Sequence, residues 1–429
     1  MYIFSARFFI RSLAVCLAIC MYINYTFTIP QINLFRASDR VLMPEPTPEA
    51  TIQLSVISEE AFNIIGVQAD DGDSGKDRSF DSRKVNVLQL WQCNQDALAA
   101  FKGCPFNSSK GQISQLFNIN DDNTTHGLFK PLGKFSVPLN LMFAARYYFN
   151  HGFSIGAFLS YYHMKLSNVQ FIEQNSHTLF EDNIFSRNNL LRENNLGGIF
   201  LGGWERTGIS DLLIQMRWIE DYPQCRPLLI NVRPQARFGI SIPTGKKQDE
   251  DLLLGVPFGN DGSWGLQISG GLDLTFSSCV RGGIDAEFLY LFGNIRSRRI
   301  KTDLAQTDLL FVNKLLAFKE YGLVQQYNLY LEVPLYFSGL WFKLNYQHLK
   351  TNESKLYVCS DSLDPLVYNN AESLEEWSIN SLIFNIRYDF DAIKPRSFSP
   401  SLQAWYKYGI IGKRALLADT VGIALHVSF

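Results

Sequence analysis

Hydrophobic and polar residues alternate strictly along many stretches of this chain, and the alternation continues to its last residue. In GIALHVSF, residues 422–429, apolar residues occupy every second position, and small or polar residues lie between them. A period of two residues is typical of a β-strand with one apolar face. Because chain ends usually fray into water, the terminal aromatic residue predicts that this end of the chain is built into a sheet.

Eleven stretches of the chain show this alternation, and most are about 9–15 residues long. Strands of globular proteins average about 5–6 residues, whereas a tilted strand that crosses a membrane needs about 9–11. The apolar faces carry almost no charge, so we interpret these stretches as transmembrane strands. They lie near residues 134–149, 153–164, 209–219, 229–243, 263–276, 282–292, 325–336, 340–349, 379–390, 401–409 and 420–429.

The connections between these stretches are alternately short and long. Outer-membrane barrels show this alternation, because tight turns lie in the periplasm and long loops lie outside. If Phe429 lies at the periplasmic rim, counting hairpins backwards places each short turn in the periplasm and each long loop outside. The short connections are 150–152, 219–225, 277–282, 337–339 and 391–400, and the long ones cover about 166–208, 244–262, 293–325 and 350–377.

Bacterial barrels have an even number of strands, so a twelfth strand is expected. We place it upstream, in GQISQLFNIN (111–120), where the alternation is poor; two extra strands within 166–208 are the alternative. The sequence therefore predicts an all-β fold. We expect a transmembrane antiparallel up-and-down β-barrel of about 12 strands, or of 14, with an N-terminal, mostly irregular segment.

The chain divides into three predicted regions. Arg7 and Arg11 precede an apolar stretch typical of a secretory signal, so residues 1–29 are assigned as a signal peptide; an uncleaved anchor is the alternative. Residues 30–130 contain a Pro/Glu linker and an acidic Gly/Ser run, and are predicted to be a periplasmic segment or a plug in the lumen. Residues 131–429 are predicted to form the barrel.

Composition excludes some classes of protein and of site. The formal net charge of −2 gives no indication of nucleic-acid binding. Cys93 and Cys104 enclose a short segment and are candidates for a disulfide in an oxidising periplasm. No CxxC motif or His/Cys cluster indicates zinc, so neither a metal nor a cofactor is expected.

The face opposite the apolar one is predicted to line the lumen, and it carries many charges. Two alternatives remain open. In the first, the charges face each other across water and order polar solutes. In the second, they form cross-strand salt bridges that fill a narrow lumen. The basic wall is Arg217, Arg233 and Arg237, the acidic wall is Asp273, Asp285, Glu287 and Glu332, and the other predicted lumen charges are Arg146, Asp211, Lys343, Arg387, Asp389 and Lys407.

Catalytic motifs are scarce in this sequence. His426 and Ser428 lie on the same face of the last predicted strand, but at its periplasmic end, so we interpret both as residues that fill the lumen. The chain contains no GxSxG or HExxH motif. We therefore expect no enzyme activity. A membrane-embedded hydrolase is kept only as the third candidate function.

Residues 207–276 resemble the meta-pathway phenol-degradation family of outer-membrane proteins. The resemblance rests on a G-x-x-D that enters an alternating strand, a strand that ends in Pro-Thr-Gly, and a Gly-rich loop before the next strand. It implies an outer-membrane barrel that passes hydrophobic or aromatic compounds. The matching positions are Gly208, Asp211, Pro243, Thr244, Gly245 and Gly265.

The last eight residues are similar to the C-terminal targeting signal of outer-membrane barrels. Phe429 and Val427 match this signal, which implies recognition by the outer-membrane assembly machinery. The complete prediction is an outer-membrane channel for small solutes in a Gram-negative bacterium, surrounded by lipid. The second candidate function is a structural protein or a surface adhesin that acts through its long external loops. The oligomeric state is left open.

Overall fold

The structure is a computed structural model. It describes residues 34, 36, 38–43, 51–69, 82–91, 95–96, 99–102, 104, 107–116, 128–173, 198–276, 280–306, 308–335, 339–359, 363–390 and 398–429. The predicted signal peptide, residues 1–29, and Cys93 lie outside this part of the chain. Among the described residues, no helix is both long enough and apolar enough to cross a membrane.

β-Strands dominate the described part of the chain, with a few short helices between them. The helices are α1 (Ser109–Leu116) and α2 (Pro365–Tyr368), with 3-10 turns at Val87–Gln89, Ala99–Phe101, Asn150–Gly152 and Glu372–Leu374. The strands are β1 (Ile52–Ala69), β2 (Ser82–Val85), β3 (Gln95–Asp96), β4 (Leu128–Tyr148), β5 (Phe153–Glu173), β6 (Trp204–Ile209), β7 (Leu212–Ile219), β8 (Tyr222–Pro223), β9 (Leu229–Ile242), β10 (Gly265–Phe276), β11 (Val280–Leu291), β12 (Asn294–Ile300), β13 (Asn313–Glu320), β14 (Val324–Pro334), β15 (Leu340–Thr351), β16 (Lys355–Val358), β17 (Trp377–Asp389), β18 (Ser399–Lys413) and β19 (Ala415–Ser428).

Twelve of these strands form a closed antiparallel barrel. The sheet closes because β1 pairs on one side with β19 and on the other with β4, so that Leu54 lies opposite both Val427 and Ala145. Each remaining barrel strand pairs with its sequence neighbours in the ring. The order around the barrel is β1, β4, β5, β7, β9, β10, β11, β14, β15, β17, β18 and β19. The predicted all-β, up-and-down barrel of about 12 strands is confirmed.

The eleven predicted strands correspond to barrel strands, but the predicted position of the twelfth is wrong. It is β1, Ile52–Ala69, which belongs to the barrel although it lies within the expected irregular region 30–130. Residues 111–116 of the stretch favoured from the sequence belong to helix α1 instead. Glu60 lies on the outward, otherwise apolar face of β1 and Glu59 on its buried inner face, and these two adjacent acidic residues obscure the alternation.

The outer surface of the barrel is an apolar belt. On β19, Ile423 and Leu425 are 59% and 48% exposed, whereas Ala424 and His426 between them are buried. A contiguous apolar surface of this size is not stable in water, and the pattern of apolar outside and polar inside is that of a transmembrane barrel. Other belt residues are Leu54, Val56, Phe143, Ile155, Ile214, Met216, Phe238, Ile240, Ile268, Ile284, Leu329, Leu331, Phe384, Ile386, Leu402 and Val421.

The connections at the two ends of the barrel differ in size, with one exception to the predicted alternation. At the long-loop end, β18 and β19 are joined by a tight turn at Arg414, which has a φ of 50°. Both strands extend into residues 410–419, which lie between the two predicted strands. At the same end, β12, β13 and β16 form a separate three-stranded sheet, which we call the external sheet.

The end of the chain takes part in barrel closure. The carbonyl of Phe429 accepts hydrogen bonds from the amides of Thr51 (2.6 Å) and Ile52 (3.3 Å), and its own amide donates to the carbonyl of Ile52 (2.8 Å). Its side chain is half exposed on the lipid side. The backbone of Phe429 thus joins the first strand to the last, while its ring remains accessible from outside.

We expect deletion of Phe429 to lower the amount of barrel inserted in the membrane more than it lowers solute passage per inserted barrel, because it removes three closing hydrogen bonds and the aromatic signal together. Heat-modifiable gel migration of membrane fractions measures the inserted amount. Phe429→Ala is the matched control, because it keeps the backbone and removes the ring. Unchanged membrane levels of the deletion variant would contradict the prediction.

Candidate functional site in the barrel lumen

A short stretch before the first strand lies inside the barrel. We call residues 34, 36 and 38–43 the lumen segment. The carbonyl of Val41 accepts hydrogen bonds from the side-chain amides of Asn385 (3.4 Å) and Gln403 (3.0 Å), on β17 and β18. Asp39 accepts a bond of 2.6 Å from the amide of Gln326 on β14. The lumen segment is therefore attached to several sides of the inner wall.

The lumen segment carries the positive charges that neutralise most of the acidic wall. The Arg40 guanidinium pairs with Asp273 and lies 3.9 Å from Asp285. The Arg36 guanidinium lies 3.1 Å from Glu287. The three carboxylates are buried. Because a buried carboxylate without a partner costs several kcal/mol, these pairs bind the segment to β10 and β11.

The basic wall contributes a second partner for the same carboxylates. Arg237 on β9 donates to Asp285 at 2.6 Å and lies 3.8 Å from Glu287. Arg217 on β7 lies directly opposite Arg237 in the strand register and is also buried. Arg233 lies nearer the short-turn end and pairs with Asp221 at 2.6 Å. The structure thus connects the two walls through Arg237 and places Arg233 at the rim.

The acidic wall continues on β14, where its partners lie on neighbouring strands. Glu332 pairs with Arg387 on β17 at 3.2 Å, and Arg387 also contacts Asp389 at 3.1 Å. Lys343 on β15 lies 4.2 Å above the ring of Tyr330, whose hydroxyl donates to Asp273 at 2.6 Å. These contacts favour the interpretation in which cross-strand ion pairs fill the lumen.

The remaining predicted lumen charges lie on the inner wall away from these pairs. Lys407 on β18 donates to Gln347 at 2.8 Å. The Arg146 guanidinium on β4 lies 5.7 Å from the ring centre of Phe158. Asp211 lies at the long-loop end, just before β7. Its role is tied to a loop rather than to the charged walls.

A cavity of about 150 Å³ lies in the lumen near the long-loop end. Its outer side is formed by residues 256–260 of the connection 244–263, which we call the roof loop. Its inner side is formed by Leu34, Arg36 and Ser38 of the lumen segment. The barrel wall around it is mixed in character. Apolar wall residues are Phe158, Met164, Leu213, Leu289 and Leu349, and polar ones are Ser160, Asp211, Ser241, Gln267, Gln326 and Gln347.

Asp211 holds both ends of the roof loop. One carboxylate oxygen accepts a hydrogen bond of 2.8 Å from the backbone amide of Gly245. The other accepts a hydrogen bond from the backbone amide of Asn260. The Thr244 hydroxyl donates to the carbonyl of Ser210 (3.0 Å) and accepts from the amide of Leu212 (2.9 Å). These bonds fold the loop back across the mouth of the cavity.

The two glycines beside Asp211 are required by close approach. A Cβ at Gly245 would lie 2.8 Å from an Asp211 oxygen, and one at Gly259 would lie 2.5 Å from the Asp211 carboxyl carbon. A Cβ at Gly208 would lie 2.6 Å from the side chain of Lys246. Asp211 of the G-x-x-D motif and Gly245 of the Pro-Thr-Gly motif therefore meet at one carboxylate.

A second anchor lies further out, where the roof loop meets the external sheet. The carboxylate of Asp261 is buried and lies 2.9 Å from Arg298 and 3.0 Å from Arg296. It also accepts from the Tyr321 hydroxyl (3.0 Å) and from the amide of Gln248 (2.9 Å). The roof loop is thus held at its base by Asp211 and against the external sheet by Asp261.

Burial changes the ionisation of groups around Asp261. It lowers the pKa of Lys319 on β13 to about 7, and the positive charge of Arg298 acts in the same direction. Burial also raises the pKa of Tyr321 to about 12 and the pKa of Glu250 above its ordinary value. The external sheet therefore contains a lysine that is neutral in the fold at alkaline pH.

The sequence pattern did not identify some residues of the site. Arg36, Asp39 and Arg40 lie in a region that alternation does not describe, and only their charges before the first strand could have indicated a lumen segment. Buried Glu59, on the unpredicted strand β1, accepts from the Asn140 amide at 2.9 Å. Gln267 lies on the predicted lumen face of its strand, but it is uncharged, so the charge pattern did not single it out.

Two other predictions concern residues outside the cavity. The His426 ring is hydrogen-bonded to Ser55 (2.8 Å) and Gln403 (3.1 Å) inside the barrel. The disulfide between Cys93 and Cys104 stays a prediction, because Cys93 lies outside the described residues.

We expect Asp211→Ala to release the roof loop. Hydrogen bonds to a charged group contribute about 1.5–3 kcal/mol each, so loss of two should increase opening more than tenfold. Lys246 and Lys247 are exposed trypsin sites in the loop, and their cleavage rate in the native barrel measures the opening. Asp249→Ala is the matched control within the loop. Equal cleavage rates in Asp211→Ala and wild type would contradict the role of Asp211.

We expect the stability of the external sheet to increase between pH 7 and pH 10. In this window the folded state keeps Lys319 neutral while the unfolded chain, with an ordinary pKa of 10.5, binds a proton. Below pH 7 both states are protonated, and the full cost of burying the ammonium remains. Thermal unfolding at pH 7 and 9.5 measures the difference.

Lys319→Met should reduce this pH dependence, because methionine does not titrate. Lys314→Met is the control, because Lys314 lies on the same strand but pairs with Asp251 at a partly exposed position. An unchanged pH dependence in Lys319→Met would show that another group causes it.

Comparison with known proteins gives similarities of fold at low identity. No protein-family model and no curated protein matches this chain. An outer membrane channel from Pseudomonas putida F1 aligns over 90% of this chain and 97% of its own length, with 9% identity and a TM-score of 0.48. The toluene transporter TbuX of Ralstonia pickettii aligns over 94% of both chains, with 10% identity and a TM-score of 0.33.

A FadL homologue from Pseudomonas aeruginosa aligns over 94% of this chain and 99% of its own, with 11% identity and a TM-score of 0.31. Because all three identities are near 10% and the TM-scores are below 0.5, these similarities assign no function to this chain. The assignment of fold rests on the strand pairing and the apolar belt: the protein is a closed, twelve-stranded transmembrane β-barrel of the outer-membrane type.

Proposed function

We propose that this protein is a channel of the Gram-negative outer membrane for passive passage of small solutes, and not an enzyme. The observation that carries the proposal is the cavity between the roof loop and the lumen segment. It lies inside a closed barrel whose outer surface is suited to lipid. A solute that enters under the roof loop is already within the barrel wall and needs only a path past the lumen segment.

The size of the barrel supports a narrow, selective channel. Eight-stranded barrels are filled by their own side chains, whereas barrels of 16–18 strands leave an open aqueous pore. Twelve strands lie between these limits, and here ion pairs and the lumen segment occupy the middle of the lumen. This arrangement suits a gated path for small molecules better than a general pore.

The charge distribution supports passage of solutes without a strong requirement for charge. Arg36, Arg40 and Arg237 compensate the carboxylates of β10 and β11. Since opposite charges within about 4 Å cancel each other's field at a distance, the lumen does not act as a strong filter for one sign. Lipid around the belt and assembly through the C-terminal strand complete the proposal.

A surface-binding role is the second candidate, and the external sheet favours it. Ile295, Leu316 and Tyr357 are exposed on that sheet, at 65%, 58% and 49%. Exposed apolar side chains outside a membrane mark contact surfaces in many proteins. This role does not explain a cavity inside the barrel, which is why the channel is preferred.

Release of the lumen segment should open the channel. We expect the double variant Arg36→Ala, Arg40→Ala to show a larger single-channel conductance in planar bilayers than the wild type, because the ion pairs that hold the segment are lost. Faster solute entry into proteoliposomes should accompany this increase.

Arg233→Ala is the matched control, since Arg233 pairs with Asp221 at the rim and not with the lumen segment. A second variant that lacks residues 34–43 tests the same point if the double variant is poorly inserted. Folded wild type and folded variants without conductance or solute flux would overturn the channel proposal and favour the surface-binding role.

A further inference from the structure

One polar side chain in the wall of the cavity has an unused hydrogen-bond donor. Gln267 on β10 is 1% exposed and lines the cavity. Its side-chain carbonyl accepts a hydrogen bond of 2.8 Å from the amide of Gln215 on β7. Its own amide nitrogen has no hydrogen-bond partner among the described residues. A buried donor left in this state is destabilising, so a ligand that accepts from it gains a hydrogen bond.

The position of this side chain is determined by its neighbours. Gln267 lies opposite Gly239 in the register of β9 and β10. A Cβ at Gly239 would lie 2.8 Å from the Gln267 carbonyl oxygen, so the glycine provides the space that the amide occupies. With its carbonyl held by Gln215, the amide group presents its nitrogen as the unpaired end.

Neighbouring polar groups of the cavity wall are bonded to one another. The side-chain amide of Asn260 donates to the Ser241 hydroxyl at 2.7 Å. Gln326 donates to Asp39 at 2.6 Å and accepts from Arg36 at 3.1 Å. Gln267 differs from these groups because its side-chain carbonyl is hydrogen-bonded and its side-chain nitrogen is not.

The charged groups of the wall are also compensated. Arg36 pairs with Glu287 at 3.1 Å, and the Asp211 carboxylate accepts from backbone amides at both ends of the roof loop. An ionised solute would lose its hydration here without gaining an unpaired counter-charge. The wall therefore suits an uncharged molecule.

The volume limits the size of that molecule. A cavity of about 150 Å³ lined by apolar side chains is large enough for a benzene-sized molecule in another protein. Here Phe158, Met164 and Leu213 supply part of the apolar wall, and Phe258 of the roof loop covers it. A solute of about six to nine heavy atoms fits this space.

We propose that the cavity binds small, uncharged, mostly apolar solutes that carry one hydrogen-bond-accepting oxygen, and that Gln267 selects them by donating to this oxygen. The inference rests on the proposed channel function and names the class of solute for the same cavity. Gln267 is a specificity-determining residue, because an apolar molecule of equal size leaves its donor unpaired.

Binding to the purified, folded barrel in detergent tests this inference. The probes are acetophenone, which carries the acceptor, ethylbenzene, which has a similar size without it, and benzoate, which is charged. Titration calorimetry of the wild type should show the tightest binding for acetophenone. Gln267→Leu should weaken acetophenone binding about three- to tenfold and leave ethylbenzene binding unchanged, as expected for the loss of one neutral hydrogen bond.

Ser241→Ala is the matched control, because it removes a polar group of the cavity wall that is bonded to Asn260 and keeps both Gln267 and its bond to Gln215. It should retain the preference for acetophenone. Gln267→Met serves as a second variant if Gln267→Leu does not give the heat-modifiable folded species. Equal weakening of acetophenone and ethylbenzene in both Gln267 variants would show a merely structural role and overturn the inference.

The outcomes separate this inference from the channel proposal. A wild type that conducts and passes solutes, but binds acetophenone no better than ethylbenzene or benzoate, overturns the role of Gln267 and leaves the channel intact. A folded wild type without conductance or flux overturns the channel, whatever it binds.

Discussion

The structure depends on the need to pair every backbone amide and carbonyl that faces lipid. Hydrocarbon offers no hydrogen-bonding partner, so an open sheet edge is not stable in a membrane. The chain satisfies this requirement only when β1 pairs with both β19 and β4. The first strand and the terminal residue Phe429 are thus parts of the same closure, and the strand number follows from it.

Closure of the barrel buries inward-facing carboxylates, and the lumen segment provides positive charges that pair with them. Inward-facing carboxylates on β10 and β11 are buried inside the barrel, where an uncompensated charge is costly. Arg237 from the adjacent strand β9 and Arg36 and Arg40 from the lumen segment supply the compensating charges. The same ion pairs that stabilise the interior also narrow it, which connects stability directly to passage.

The cavity is the space between the lumen segment and the roof loop, which are both attached to the barrel wall. The lumen segment limits it from within the barrel, and the roof loop limits it from outside through the hydrogen bonds of Asp211. Neither element is a barrel strand, so both can move without breaking the closed sheet. In the proposed channel these two elements set the openings, and the paired strands set the wall. The wall, whose charges are compensated, and the unpaired donor of Gln267 then select the solute that binds between them.

The local pattern of the sequence was sufficient to predict the class of fold and most of the strands. Alternation with a period of two residues is a local property, and it assigned Ile423 and Leu425 to the outside and Ala424 and His426 to the inside. It did not reveal β1, because the adjacent Glu59 and Glu60 obscure the pattern and because pairing with β19, at the other end of the chain, stabilises that strand.

Only part of the candidate site could be predicted from the sequence. The inward charges could be listed, but their partners could not, since Arg40 and Asp273 are separated by 233 residues. Asp211 was predicted as a lumen charge; it lines the cavity, and its carboxylate also holds the roof loop. The sequence by itself determined which face of each strand meets lipid. Only the tertiary structure decided which charges pair, where the cavity lies and which donor is left unpaired, because these depend on contacts between segments that are distant in sequence.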